Sequence, residues 1–148
     1  VKQSGDNFVT AFYGIYNRTD RTIVYSCAGH NPPYMIHNNR ITALDKARSL
    51  PLGVYTAQEL KGFDKVYINH TEKLPAESKI LFYTDGLTEA RSQNMESGFF
   101  EERMYKILPR LADRNCRDFI HSLYKELVIF RGSENFEDDV CLFFVDID

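Results

Sequence analysis

Acidic side chains at the ends of apolar segments are the first residues here whose type and place could do chemistry. Asp85 closes the run Lys79-Ile-Leu-Phe-Tyr-Thr84 and is followed by Gly86. Asp138 and Asp139 stand before Val140-Cys-Leu-Phe-Phe-Val145, after Glu134 and Glu137. A carboxylate at the tip of a buried strand is held rigidly while its head faces a cleft, which is what a hard cation needs from a protein. Oxygen donors without nearby Cys or His favour Mg²⁺ or Mn²⁺ over zinc. A plainer reading stands beside this one. Asp-Gly after a strand is a common turn, and adjacent acids before a strand are usually a solvated edge.

Other candidates carry the same ambiguity. His30, in Ala28-Gly-His-Asn-Pro-Pro33, could contact a substrate or stabilise its own loop through a ring hydrogen bond. Glu89 follows Asp85 by four residues and could orient a ligand or a metal-bound water, or cap the next turn. Arg91 could meet a phosphate or simply be solvated. His30, His37, His70 and His121 show no pair at helical metal-ligand spacing. Cys27, Cys116 and Cys141 are odd in number, widely spaced and set in apolar patterns, and read as buried free thiols of a reducing compartment.

The elements that must position these groups follow from periodicity. The chain has 148 residues, 43% hydrophobic and 14% aromatic, enough for one core and too few for two domains. A net charge of -3 gives no basic excess for nucleic acid or an anionic membrane. No apolar run approaches the ~20 residues of a membrane span. Phe8 to Tyr16 reads as a strand of a buried core, Asn17–Asp20 as a turn, and Thr22–Cys27 as its hairpin partner. Tyr34–His37 and Arg40–Leu44 flank a tight turn at Asn38-Asn39, and Ser49–Gly53 is a loop. Phe63–Thr71 alternates as a half-buried strand, Lys79–Thr84 is a strand buried on both faces, and Asp139–Val145 is the last strand.

Between these last two lie two helices. One carries Phe100, Met104, Ile107, Leu108 and Leu111, with Pro109 expected to kink or end it. The other runs from Asn115 as N-cap to Gly132, with Cys116, Phe119, Ile120, Leu123, Tyr124, Leu127 and Phe130 on one face. Strands, then two helices, then a strand imply an α+β layered fold in one domain, 1–148.

Tyr83-Thr-Asp-Gly-Leu-Thr-Glu-Ala90 resembles the signature of the bacterial SpoIIE/RsbU group of metal-dependent serine/threonine phosphatases, relatives of the protein phosphatase 2C superfamily. Phe8-Val-Thr-Ala-Phe-Tyr-Gly14 is similar to that family's central strand and Cys27-Ala-Gly-His-Asn-Pro-Pro33 to its AGHxP loop. Leu50-Pro-Leu-Gly53 matches its PLG turn and Phe136-Glu-Asp-Asp-Val140 its closing DD motif, all in the family's order. The resemblance implies a phosphatase 2C-like β-sandwich flanked by helices, with two Mn²⁺ or Mg²⁺ ions at one edge. Asp85 and Asp138 then fall on metal-ligand positions, with Gly86, Asp139, His30 and Glu89 in supporting roles. It further implies hydrolysis of phosphoserine or phosphothreonine on a protein by metal-activated water, with no phosphoenzyme. The implied substrate is an anti-sigma-factor antagonist in bacterial partner-switching signalling in the cytoplasm.

The chain departs from the family where a GD-type motif, with an aspartate bridging both metals, and a DxSGHG-type motif are expected upstream. Gly5-Asp6 lies too close to the Phe8 strand to stand for the first of these. The opening Val1-Lys2-Gln3, without Met, is accordingly read as the start of a C-terminal portion whose N-terminal part is missing. Such a piece is expected to be inactive by itself and either to associate through uncovered sheet edges or to rearrange its strands. The competing expectation is a catalytically inactive, phosphatase-like regulatory or protein-binding module.

Overall fold

The computed structural model describes residues 8–63, 66–92, 98–99 and 103–148. They divide into two compact units: residues up to Pro32 with Leu44–Leu74, and Pro33–Ala43 with Pro75–Asp148.

In the first unit β1 (Ala11–Asn17) and β2 (Thr22–Ala28) form an antiparallel hairpin. Its polar connection turns because side chains take over backbone donors: Asn17 Oδ1 accepts from the Thr19 N–H at 2.9 Å and Asp20 Oδ1 from the Thr22 N–H at 3.1 Å. On its other side β2 pairs in parallel with β5 (Arg48–Ser49) and antiparallel with β6 (His70–Lys73). Ile23, Tyr25 and Cys27 form the buried row of β2, and Phe12 stacks on Tyr25 with ring centroids 5.3 Å apart.

The aromatic run from Phe8 is not the buried strand its composition implied. A strand's side chains alternate between two faces, and here only the row of Phe12 and Tyr16 turns toward the Tyr25 face. Tyr13 and Ile15, on the opposite row, are 69% and 61% exposed. The strand expected over Phe63–Thr71 is also displaced, to His70–Lys73, with residues 64–65 outside the described ones. Beyond Tyr25, the edge of β2 is taken by β5 through Cys27 and Ala28, so β6 stops at His70. A short helix, α1 (Ala57–Leu60), lies where no helix was expected, closed by a capping box between Thr56 and Glu59.

In the second unit β3 (Tyr34–His37) and β4 (Arg40–Ala43) form a hairpin whose turn residues Asn38 and Asn39 have φ of 48° and 60°, as a two-residue hairpin turn requires. With β7 (Lys79–Tyr83) and β8 (Leu142–Asp146) they make an antiparallel sheet in the order β4-β3-β7-β8. The helices α3 (Tyr105–Leu111) and α4 (Cys116–Arg131) bury their apolar rows with Tyr34, Ile36, Leu81, Tyr83 and Phe144 in one cluster. Pro109 lies inside α3 without ending it, and Phe100 falls outside the described residues. In α4 Asn115 accepts from the Asp118 N–H at 2.9 Å, and Gly132 ends the helix with φ of 73°. Phe119 stacks on Phe144 of β8, centroids 3.8 Å apart.

The cysteines are free, but only Cys27 is buried, and burial pushes its thiol pKa up; Cys116 is half-buried and Cys141 exposed. Cys141 stands just outside the β8 ladder. No helix among the described residues is long and apolar enough to cross a membrane.

Leu123 is fully buried at the centre of α4. Leu123→Ala is expected to cost about 2–5 kcal/mol and Asn115→Ala about 1 kcal/mol, measured by urea unfolding.

Candidate active site

β7 delivers Asp85. After Tyr83 the chain passes through Thr84 in an extended conformation and enters a four-residue helix, α2 (Asp85–Thr88), where a turn was the plainer expectation. The helix closes through the Glu89 N–H to the Asp85 carbonyl at 2.8 Å, and the Thr88 hydroxyl donates to the same carbonyl at 3.0 Å. Leu87 is fully buried and fixes the rotation of α2, which leaves the Asp85 side chain exposed.

Two residues bind this turn to the segment carrying Asp138 and Asp139. The Thr84 hydroxyl donates to the Asp139 carbonyl at 2.7 Å and accepts from the Cys141 N–H at 2.9 Å, and the Thr84 N–H donates to the Cys141 carbonyl at 3.1 Å. A side chain thus replaces the ladder partner of residues 139–141, which is why β8 begins at Leu142 and not at Asp139 as expected. Gly86 then packs directly on the same backbone. A Cβ at this position would lie 2.6 Å from the Asp139 carbonyl oxygen and 3.1 Å from that of Asp138. Only glycine admits this approach, and the reason is space, not a special φ.

The approach forms one wall of a cleft of about 340 Å³, lined by Gly86, Glu89, Ala90, Arg91, Arg131, Glu137 and Asp138. Glu89, Glu137 and Asp138 are all exposed. Asp138 Oδ1 accepts from the Asp139 N–H at 2.7 Å, which orients one carboxylate oxygen and leaves the other available. Asp139 lies on a neighbouring depression with Glu134, Asn135 and Val140. The structure therefore brings together Gly86, Glu89, Asp138 and Arg91, with Asp85 adjoining through the backbone and Asp139 beside Asp138. His30 belongs to the other unit; its Nδ1 is 3.3 Å from the Thr10 hydroxyl and its carbonyl accepts from the Cys27 thiol at 3.1 Å. Asp6 lies outside the described residues.

The donors fit a hard cation in kind: exposed carboxylate oxygens with no thiolate or imidazole among them. They do not complete a set, since among the described residues no three Asp, Glu, His or Cys side chains converge to hold a metal ion. Mg²⁺-type sites commonly use one or two carboxylates and fill the remainder with water and substrate phosphate. Thr84, Arg131 and Glu137 were not singled out from sequence. Thr84 lies inside the Tyr83–Ala90 string and Glu137 inside Phe136–Val140, whereas nothing local marks Arg131.

This arrangement of two sheets with late helices, and of an Asp-Gly turn docked on an Asp-Asp segment, is an α+β fold of the protein phosphatase 2C type. In three dimensions the chain is similar to the PP2C domain of SiaA from Pseudomonas aeruginosa, with a TM-score of 0.76 and 18% identity, covering 94% of this chain and 52% of that one. It is similar also to the manganese-presoaked phosphatase domain of the cell-fate determinant SpoIIE from Bacillus subtilis, with a TM-score of 0.68 and 18% identity, covering 94% and 56%. The family model described as stage II sporulation protein E matches residues 1–148, and the chain belongs to the SpoIIE family. The phosphoserine phosphatase RsbU of Bacillus subtilis (strain 168) is 28% identical over 133 residues, 88% of this chain and 37% of its own length. The chain thus spans about half of the solved domains it matches and little over a third of this curated relative.

Gly86→Ala is expected to cost about 1–3 kcal/mol and to loosen the Thr84–Cys141 bonds, read as faster amide exchange at Cys141. Gly14→Ala is the control, because its Cβ would meet only side-chain atoms, at 3.2 Å. Equal losses in the two variants would deny the close approach its role.

Proposed function

We propose that this chain is the C-terminal portion of one SpoIIE-type phosphatase domain, in a protein that hydrolyses phosphoserine or phosphothreonine on a protein substrate. The observation that carries the reading is the packing of Gly86 on the Asp138–Asp139 backbone, which puts two carboxylate-bearing motifs at one cleft. In this reading Asp85 and Asp138 hold divalent cations, Mn²⁺ or Mg²⁺, two in the whole domain. Bound there, the cations supply neutralisation of the phosphoryl oxygens and acidification of the attacking water. Asp139 and Glu89 keep the local field negative, Gly86 leaves the space that lets the carbonyls of residues 138–139 close the wall, and His30 supports its own loop. The phosphoprotein is in this reading an anti-sigma-factor antagonist of a cytoplasmic partner-switching pathway, and nucleic acid is not a partner.

A second reading, a phosphatase-like binding module without catalysis, is favoured by one observation: among the described residues no three Asp, Glu, His or Cys side chains converge to hold a metal ion. The two readings separate on the full-length protein. Mn²⁺-dependent release of phosphate from a phosphoserine protein is expected, falling by about 10²–10³-fold in Asp85→Asn and in Asp138→Asn. Activity untouched by both substitutions would remove the site assignment, and absence of activity in the parent protein would favour the binding module.

The exposed Tyr13 and Ile15 row of β1, the strand at the end of the order β1-β2-β5, is proposed as the surface through which copies of the 148-residue piece associate. Sedimentation is expected to show dimers or larger species that dissociate in Ile15→Lys; a monomer at all concentrations would dismiss this.

A further inference from the structure

Arg131 is the last residue of α4, and its side chain is only 11% exposed. Gly132 turns the chain back in the left-handed conformation, so the residues that follow run past the guanidinium. Three successive ones meet it. Nη2 donates to the Asn135 carbonyl at 2.7 Å, the guanidinium carbon lies 5.3 Å from the centre of the Phe136 ring, and Nη1 is 4.0 Å from Glu137 Oε1. The next residue is Asp138, which lines the same cleft as Arg131. The segment has other anchors: the Asn135 N–H donates to Ser133 Oγ at 3.1 Å, and Phe136 lies against Tyr124 of α4 with ring centroids 6.0 Å apart.

The ion pair among these contacts adds little to the stability of the fold. The Glu137 carboxylate is 78% exposed and at the limit of ion-pair distance, and the Arg131 Nε is buried without a hydrogen-bond partner. A nearly buried guanidinium with an unsatisfied N–H is a desolvation cost that one exposed ion pair does not offset. What the contacts do is geometric. A planar fork fixed to a 16-residue helix reaches three points of an irregular segment that has no ladder of its own. We propose that Arg131 is a positioning residue, holding residues 135–137 so that the Asp138 carboxylate stays at the cleft wall beside Gly86. This rests on the reading of Asp138 as a metal ligand.

The sign of the effect separates positioning from simple electrostatics. A cation beside a divalent-metal site repels the ion, so removing an idle arginine tightens metal binding. Removing one that orients a ligand weakens it, by about 10- to 100-fold for groups that support a ligand without touching the metal. The test is Mn²⁺ binding to the full-length protein, read from the electron paramagnetic resonance signal of free Mn²⁺, in the parent, Arg131→Ala, Arg131→Lys and Asp138→Asn. Folding of each is checked by circular dichroism without metal.

Arg131→Ala is expected to weaken Mn²⁺ binding by about 10- to 100-fold. Arg131→Lys keeps the charge but not the fork, and is expected to weaken binding in the same direction by less; it stands in for the alanine variant should that one not fold. Unchanged or tighter Mn²⁺ binding in a folded Arg131 variant, with Asp138→Asn defective, would overturn the positioning role alone. A raised KM for the phosphoprotein with Mn²⁺ binding intact would do the same, making Arg131 a substrate contact. If Asp138→Asn itself binds Mn²⁺ like the parent, the metal reading fails and the proposal falls with it.

Discussion

Gly86 lies so close to the carbonyls of Asp138 and Asp139 that a single methyl group would not fit between them. Everything proposed for the cleft depends on that approach. It joins two segments more than fifty residues apart in sequence, and it does so at the level of backbone, where neither side can adjust by changing a rotamer. Thr84 completes the joint by giving its hydroxyl to the Asp139 carbonyl and accepting the Cys141 N–H. Without it, residues 139–141 would present unpaired backbone groups beside the sheet, and such groups cost stability wherever water is excluded.

The remainder of the unit keeps this joint in place. β7 and β8 pair along their length, from Lys79↔Asp146 to Tyr83↔Leu142, so the two strands arrive at the cleft side by side. Lys79 and Asp146 form an ion pair at the far end of that ladder. α4 lies against β8 through Phe119 and Phe144, and its C-terminus falls at the cleft with Arg131. Sheet, helix and loop thus converge on Asp138 from three directions. An acidic group carried on an irregular segment is given the fixed position that a strand end gives Asp85.

Much of the frame was legible in the sequence because its signals are local. The Asn38-Asn39 turn, the apolar face of α4, its Asn115 cap and its Gly132 terminus are each determined by residues within a few positions of one another. Thr56 and Glu59 carry an equally local capping-box signal that marks α1, in a stretch to which the sequence reading assigned no element. What failed was set by distant partners. β6 begins at His70 because β5 already occupies the edge of β2, and β1 leaves Tyr13 and Ile15 exposed because only one of its two rows meets Tyr25. The site divides in the same way. Asp85 and Asp138 stood out as carboxylates at strand ends, and the Tyr83–Ala90 and Phe136–Val140 strings carried their resemblance to a family. That Gly86 and Thr84 dock on residues 138–141, and that Arg131 grips the intervening loop, depends on tertiary packing that no spacing within the chain encodes.

The account turns on whether Asp85 and Asp138 face a common cation. Anomalous diffraction from crystals of the full-length protein grown with Mn²⁺ tests this most directly. The account predicts manganese peaks at about 2.1 Å from carboxylate oxygens of both Asp85 and Asp138, at the cleft wall formed by Gly86. Manganese bound elsewhere in an otherwise intact domain, with both carboxylates turned to solvent, would contradict it.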